Sequence, residues 1–146
     1  MLDQMIHLAT NLFHGKKDKA GKPYILHCLK VMHYTKSDDE ELLCIAIGHD
    51  ILEDCFDNIG QGIALLRDKG FTERIIEGII ALTKRPGLAY EDYKLQVKRN
   101  ADARKVKMAD LRHNSDIRRL KGVTNKDVER VVRYHQFYLE LKELEK

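Results

Sequence analysis

The chain has few of the residues that cross-link, break or anchor a fold. It contains no tryptophan, two prolines and three cysteines among 146 residues, and no Cys-x-x-Cys pair. This excludes a disulfide framework and a thiolate zinc site, so Cys28, Cys44 and Cys55 are predicted to be reduced thiols. The longest apolar run, residues 42–47, is far shorter than the roughly 20 residues of a membrane span, and Asp3 interrupts any signal peptide. We therefore expect a cytoplasmic protein without membrane contact.

Charge of one sign is not concentrated in any part of the chain. The 26 basic and 23 acidic side chains are spread along its whole length and give a formal net charge of +3. A nucleic-acid-binding protein usually presents a concentrated positive footprint. The sequence therefore does not favour a nucleic-acid polymer as a partner.

Apolar residues recur at helical spacing nearly everywhere, and alternating runs typical of strands are almost absent. A chain of this length can bury roughly 68–70% of its unfolded surface, which is enough for one core. We predict a single compact all-α domain covering residues 1–146. Its predicted helices span residues 2–13, 23–31, 37–55, 63–67, 72–82, 90–98 and 102–119, followed by a long final helix from about residue 124.

Two of these helices have particular N-terminal signals. Ser37 with Glu40 predicts a capping box at the start of the third helix, and Thr124 with Asp127 caps the final helix. In the final helix, an apolar stripe lies on one side, and His135 on that stripe is predicted to be a core histidine. The stripe consists of Val128, Val131, Val132, His135 and Leu139. Its pattern leaves open whether the helix packs on the core or forms a dimer.

The third predicted helix carries four polar residues within about one turn. They are His49, Asp50, Glu53 and Asp54, and His49 also continues the apolar stripe of its helix. Three carboxylates at the C-terminal end of a helix repel one another and the negative end of the helix dipole, unless a cation offsets them. Imidazole and carboxylate ligands suit manganese, iron or zinc. We therefore predict a divalent metal site here.

Two other segments offer further ligands in apolar, helical surroundings. His27 follows a loop rich in glycine and lysine and lies one turn after Tyr24. Asp110 follows an apolar segment, and Lys107 and Asn114 lie on the same face of its helix. These residues are candidates to complete the metal site and to contact a ligand beside it.

Four motifs in order resemble the HD-domain hydrolase module of the RelA/SpoT family, and especially its stand-alone small alarmone hydrolases. The motifs are Gly-Lys-Pro-Tyr-Ile-Leu-His at 21–27, His-Asp-Ile-Leu-Glu-Asp at 49–54, Leu-Thr-Lys at 82–84 and Val-Lys-Met-Ala-Asp-Leu-Arg-His-Asn at 106–114. The resemblance implies a helical HD domain and hydrolysis of the 3′-pyrophosphate of guanosine tetra- or pentaphosphate, which leaves GDP or GTP. Some relatives instead remove the 2′-phosphate of NADPH, so the fold alone does not fix the substrate.

The resemblance also implies roles for individual residues. His27, His49, Asp50 and Asp110 would hold one divalent ion, usually manganese, and Glu53 and Asp54 would flank the attacking water. Which of these two carboxylates is the base stays open. Adjacent carboxylates tend to have pKa values that move apart, which suits them to sharing a proton.

Basic and amide side chains are predicted to bind the substrate. Lys16, Lys17 and Lys19 lie on the loop before His27, Asn114 matches the family's nucleotide-contacting asparagine, and we add Lys107 as a substrate contact. Asp18 stands where the family has an arginine that helps to hold guanine. The alternatives are therefore a phosphohydrolase acting on another nucleotide, such as NADPH or a deoxynucleotide, or a non-catalytic nucleotide-binding module.

Several charged residues near these motifs receive no role from the sequence. The Leu-Arg order at 111–112 is reversed relative to the longer family members, so Arg112 inherits no function. His113 is left out of the metal site because it points to another side of the helix than Asp110. Asp116, Arg118 and Arg119 are interpreted as a solvated helix end.

Overall fold

Helices make up nearly all of the regular structure in the computed structural model, which describes residues 1–146. The α-helices are α1 (Leu2–Leu12), α2 (Ile25–Tyr34), α3 (Glu40–Gly48), α4 (Ile51–Asp54), α5 (Ile59–Asp68), α6 (Glu73–Ala81), α7 (Tyr90–Lys98), α8 (Ala101–Asn114) and α9 (Asn125–Leu144). A short 3₁₀ helix spans Ile117–Arg119, and one isolated β-bridge joins Lys17 and Pro23. The predicted all-α fold is confirmed.

Helix α3 lies at the centre of the molecule and packs against α1, α2, α6 and α8. From Leu42 to Ile47 only Leu43 is not buried, so this apolar run is the middle of the core. Gly78 of α6 allows a close approach, because a Cβ atom there would lie 2.6 Å from Ile45 Cδ1. The core therefore surrounds the helix that leads into His49.

Side chains cap the N-termini of several helices. Thr124 and Asp127 form the predicted capping box of α9. The predicted capping box at Ser37 is wrong, because Asp39 caps α3 by accepting hydrogen bonds from the backbone N–H groups of Glu41 and Leu42 at 3.1 and 3.3 Å. Ser37 Oγ instead accepts a hydrogen bond from the backbone N–H of Asp39.

Several predicted helix boundaries are wrong, and one of them is the start of α5, which begins at Ile59 rather than at residue 63. Helix α2 begins at Ile25, so Pro23 precedes it. The third predicted helix does not run unbroken to Cys55, because α3 ends at Gly48 and α4 begins at Ile51. Helix α8 ends at Asn114, and the chain turns before the 3₁₀ helix that contains Arg119.

Helix α9 packs on the core through a different face from the predicted stripe. Phe137 and Leu141 are fully buried, whereas Val132 and Leu139 are 50% and 49% exposed. His135 is exposed, so its prediction as a core histidine is wrong. The stripe is apolar but lies opposite the side that contacts α7 and α8.

The helices and cysteines can be compared with two further sequence predictions, on membrane spans and on disulfides. No helix has both the length and the apolar character needed to cross a membrane. Cys28, Cys44 and Cys55 are all free thiols, and the first two are buried. The cysteines therefore contribute to packing rather than to a cross-link.

Candidate metal centre and adjoining cavity

Four side chains from separate parts of the chain converge at one buried point. They are His27 of α2, His49 and Asp50 between α3 and α4, and Asp110 of α8. One ligand atom from each lies within 4.8 Å of the other three. His27, His49 and Asp110 are buried, and Asp50 is half-buried. The structure thus brings together all four residues of the predicted ligand set.

The break between α3 and α4 allows two neighbouring residues to share this point. In a regular helix, consecutive side chains point about 100° apart and do not meet. Asp50 has φ −103° and ψ 0°, outside regular helical values. Its Oδ2 atom lies 3.0 Å from His49 Nε2. The helix interruption that the sequence did not predict is therefore part of the site.

The tautomer of His49 follows from its hydrogen bond to the backbone. His49 Nδ1 lies 2.7 Å from the carbonyl oxygen of Ala46. Because a carbonyl oxygen only accepts, Nδ1 carries the proton, and the neutral ring presents a lone pair on Nε2. Nε2 is the atom that faces Asp50 and Asp110. A metal-binding histidine usually has this arrangement.

His27 is held by a second histidine that the sequence analysis left out. His27 Nδ1 lies 2.7 Å from His113 Nδ1, and the two rings stack with centroids 5.0 Å apart. Burial, then Arg119 and His27, lower the pKa of His113 to about 4. A neutral His113 can therefore accept a hydrogen bond from the Nδ1–H of His27, and the lone pair of His27 is then on Nε2.

His27 Nε2 is the clearest sign that the donor set fits a cation. This atom is buried and makes no hydrogen bond of good geometry, although Asp110 Oδ1 lies only 3.0 Å away. Buried polar nitrogens are rarely without a partner. Two imidazole nitrogens and two carboxylate oxygens facing one point suit a divalent ion such as manganese, iron or zinc. The residues present therefore fit a metal.

Charges around Asp110 keep this site ionised. Asp110 Oδ2 accepts a hydrogen bond from Lys107 Nζ at 2.9 Å, and its Oδ1 accepts one from Asn114 Nδ2 at 3.0 Å. Burial opposes ionisation, but Lys107 and His49 hold the pKa of Asp110 well below its usual value. In the absence of a metal, burial likewise opposes the charged form of His49, yet Asp50 and Asp110 raise its pKa well above the usual range.

Asp50 is positioned by an aromatic hydroxyl. Tyr24 Oη donates a hydrogen bond to Asp50 Oδ2 at 2.5 Å. Tyr24 also packs its ring against those of Phe13 and His27. The tyrosine of the Pro-Tyr-Ile-Leu-His motif therefore orients a carboxylate of the candidate metal site, which its position in the sequence did not reveal.

Glu53 and Asp54 lie beside the four-residue cluster on α4. Glu53 Oε1 accepts a hydrogen bond from the backbone N–H of Lys84 at 2.6 Å. Burial, assisted by Asp50, raises the pKa of Glu53 above its usual value. Burial and the charges of Asp50 and Glu53 raise the pKa of Asp54 to about 7. A carboxyl group with a pKa near neutrality can exchange a proton at physiological pH.

A cavity of about 290 Å³ opens beside His27. Four cationic side chains line it, together with Asn114, Tyr24, Tyr134 and the carboxylates of Asp18, Asp116 and Asp127. The cations are Lys17, Lys19, Arg119 and Arg130. The two lysines and Asn114 are predicted substrate contacts, whereas Arg119, Arg130 and Tyr134 were not predicted from the sequence. The cavity can therefore hold a phosphorylated ligand against the candidate metal centre.

Asp18 has a structural role in this cavity wall. Its Oδ1 atom accepts hydrogen bonds from the backbone N–H groups of Ala20 and Lys22, and its Oδ2 lies 3.3 Å from Arg119 Nη2. Arg119 also donates to Asn114 Oδ1 at 3.2 Å. Arg119 is therefore not part of a solvated helix end, because the chain turns after α8 and brings it back to the cavity. Asp116 also lines the cavity, whereas Arg118 is exposed as expected.

The other two predicted substrate contacts lie outside the cavity wall. Lys107 is half-buried, pairs with Asp110 and lies 5.3 Å from the ring centroid of Tyr93. Lys16 donates a hydrogen bond to the carbonyl oxygen of Asp54 at 2.5 Å. Lys107 therefore contacts Asp110 and Lys16 contacts Asp54, and neither lysine lines the cavity.

Comparison with known proteins agrees with this architecture. No protein-family model matches the chain, and no curated protein matches it significantly. The chain nevertheless has the all-α fold of a solved hydrolase, with a TM-score of 0.75 over 96% of this chain and 84% of the other.

That solved protein is described as a metazoan ortholog of SpoT that hydrolyses ppGpp and plays a role in starvation responses. The two sequences are 19% identical. The likeness confirms the all-α fold that the four sequence motifs imply.

Proposed function

We propose that this protein is a manganese-dependent hydrolase of guanosine 3′,5′-bis(diphosphate) and its pentaphosphate, which releases pyrophosphate and leaves GDP or GTP. The observation that carries the proposal is the convergence of His27, His49, Asp50 and Asp110 at the edge of a cavity lined by cations. The described activity of the structural neighbour, a ppGpp hydrolase, supports the same substrate. Such a substrate is an intracellular nucleotide, which agrees with the expected cytoplasmic location.

Hydrolysis at the 3′ position requires a water to lose a proton and the 3′ oxygen to gain one. A divalent ion, when bound, supplies Lewis-acid chemistry and neutralises phosphoryl charge. Glu53, held by the N–H of Lys84, orients the water through a carboxylate oxygen. Asp54, with its pKa raised to about 7, accepts the proton and can return it to the leaving oxygen.

The substrate phosphates bind the cationic side of the cavity. Lys17 and Lys19 line it from the loop before α2, Arg119 from the 3₁₀ helix and Arg130 from α9. Asn114 lies between the cavity and Asp110, so its amide can bond a ribose or phosphate oxygen. Lys107 acts indirectly by keeping Asp110 ionised, and Lys16 acts by holding the end of α4.

Asp18 favours a second candidate substrate. It occupies the position at which the resembling family has a guanine-holding arginine, and its carboxylate pairs with Arg119. A hydrolase with this change could act on NADPH or on a deoxynucleotide with the same metal centre. The two candidates share every residue of the cluster and differ only in how the base is recognised.

The test is pyrophosphate release from guanosine tetraphosphate by the purified protein with manganese, beside NADPH and a panel of deoxynucleotides. We expect pyrophosphate and GDP from the alarmone, and no turnover after the metal is removed with a chelator. Phosphate release from NADPH or a deoxynucleotide alone would replace the substrate and retain the metal centre. Binding without turnover of any nucleotide would instead indicate a non-catalytic module.

A further inference from the structure

A second concave surface lies apart from the cavity beside His27. This groove has a volume of about 370 Å³ and runs between the C-terminal end of α2, one face of α8 and the C-terminal end of α9. It shares no lining residue with the cavity beside His27. Tyr34 of the groove packs edge-on to His113, with ring centroids 6.0 Å apart. The groove is therefore separate from the proposed substrate site.

The cations of this groove are free to bind an anion. Arg112 stacks on Tyr34, with its guanidinium carbon 4.1 Å from the ring centroid, and Lys30 lies 5.2 Å from the same ring. Lys36 and Lys105 also line the groove or its rim and are exposed. None of these four side chains forms an ion pair, in contrast to Arg74, Arg104 and Arg119.

Negative charge in the groove is already neutralised. Its only carboxylate is that of Glu145, which lies 2.7 Å from Arg104 Nε. The groove therefore has a net positive charge, and no group of the protein itself balances that charge.

Lys36 has a backbone conformation that residues other than glycine and asparagine rarely adopt. Lys36 follows the end of α2 with φ 51°, in the left-handed region, and is the only non-glycine residue of the chain with positive φ. Glycine or asparagine is usual at such a helix end. The lysine thus costs conformational energy, and it adds a third positive charge to those of Lys105 and Arg112 around the groove.

We propose that this groove is a second anion site that takes a polyphosphate group. A stacked guanidinium keeps its planar set of N–H donors free for bidentate contact with phosphate oxygens. Lys36 and Lys105 supply mobile point charges on either side, and Tyr138 offers a ring beside them. The ligand class is a nucleoside triphosphate or a free polyphosphate chain, which share this group.

The test is calorimetric titration of tripolyphosphate and of GTP into the chelator-treated protein, which requires no turnover. We expect saturable binding at the groove, beside any binding at the cavity, and the groove event should be weakened at least tenfold in the double variant Lys105→Gln/Arg112→Gln. The matched control is Lys69→Gln/Arg133→Gln, which removes the same charge from exposed, unpaired positions outside the groove and should change that affinity less than twofold.

A third variant separates the two sites. Lys17→Gln/Lys19→Gln alters the cavity beside His27 and should leave the groove event in place. Tighter binding of GTP than of tripolyphosphate would identify a nucleotide as the ligand, and equal binding would identify the polyphosphate chain alone. The proposal is overturned if the groove variant binds both probes like the wild type, or if the control loses as much affinity as the groove variant. Failure of hydrolysis would not affect this result.

Discussion

Glu53 and Asp54 are neighbours in the chain but have different surroundings. Glu53 is fixed by the backbone of Lys84, whereas the carboxyl group of Asp54 makes no hydrogen bond and has the more strongly raised pKa. We predict that Glu53→Gln and Asp54→Asn each lower the turnover number by about 10²–10⁴-fold, the usual range for loss of a proton-transferring group. Steady-state kinetics with the alarmone measures this.

The matched control for these variants is Glu77→Gln, which removes an exposed, unpaired carboxylate from α6. It should retain the wild-type rate. If Glu53→Gln and Asp54→Asn also turn over at the wild-type rate, neither residue has the proposed catalytic role.

His113 fixes the ring of His27 and should therefore affect metal affinity. Removal of a hydrogen-bond partner behind a metal ligand typically lowers affinity by about 10–100-fold. We predict a loss of this size for His113→Ala, measured by manganese titration of the metal-free protein. His33→Ala is the control, because His33 is exposed on the same helix as His27. Equal affinity of the two variants would show that His113 does not support the site.

At the residue scale, local spacing predicted the acidic cluster but not its supporting contacts. His49, Asp50, Glu53 and Asp54 lie within six positions, so their proximity follows from the chain itself. The contact between His27 and His113 joins residues 86 positions apart. Helix angles alone placed His113 away from Asp110, and they give no information about a ring approaching from α2.

At the scale of the helices, α9 offers a direct test of which face contacts the core. Leu141 is fully buried and Leu139 is 49% exposed, although both are leucines in the same helix. We predict that Leu141→Ala lowers the free energy of unfolding by about 2–5 kcal/mol, as for other buried leucines. Leu139→Ala should change it by less than about 0.5 kcal/mol. Denaturant unfolding measures both, and a larger loss for Leu139→Ala would contradict the observed packing.

The cap of α3 predicts a pH-dependent contribution to stability. A hydrogen bond from Arg74 lowers the pKa of Asp39 below its usual value. The resulting stabilisation is therefore complete above the ordinary aspartate pKa of about 3.9 and is lost as the pH falls through the lower pKa of the folded state. Asp39→Asn keeps a capping side chain but removes the charge.

We expect Asp39→Asn to be less stable than the wild type by up to about 1 kcal/mol at pH 7, as for exposed ion pairs. The difference should disappear as the pH falls below the lowered pKa of Asp39, as measured by urea unfolding across the acidic range. Asp38→Asn, at an exposed position without an ion pair, is the control. A difference that stays constant with pH would exclude the ion pair as its cause.

The presence of most helices was predictable from the sequence, but the break after α3 and the exposed face of α9 were not. The predicted helix at 90–98 matches α7, and Thr124 begins α9 as predicted. The break after Gly48 was missed because the apolar spacing continues through it and no proline marks it. His135 on the exposed stripe of α9 was wrongly predicted to be a core residue, because periodicity shows that a face is apolar but not what covers it.

At the scale of the whole molecule, the fold assembles a site that no single segment contains. Helices α2, α3 and α8 pack on one another, and His27 of α2, His49 after α3 and Asp110 of α8 meet at the candidate metal site. A metal that binds only the folded chain should stabilise it, by about 2.7 kcal/mol at a free concentration one hundred times the Kd. Thermal unfolding with and without manganese should therefore differ, and the difference should vanish when chelator is added.

The most direct measurement is the manganese content of the protein at saturation. We predict one ion per chain for the wild type and none for His49→Ala or Asp110→Asn, with folding verified by circular dichroism. His135→Ala, which changes an exposed histidine on α9, should retain the ion. Folded His49→Ala and Asp110→Asn proteins that still bind one ion would contradict the assignment of the cluster as the metal centre, and with it the proposed hydrolase.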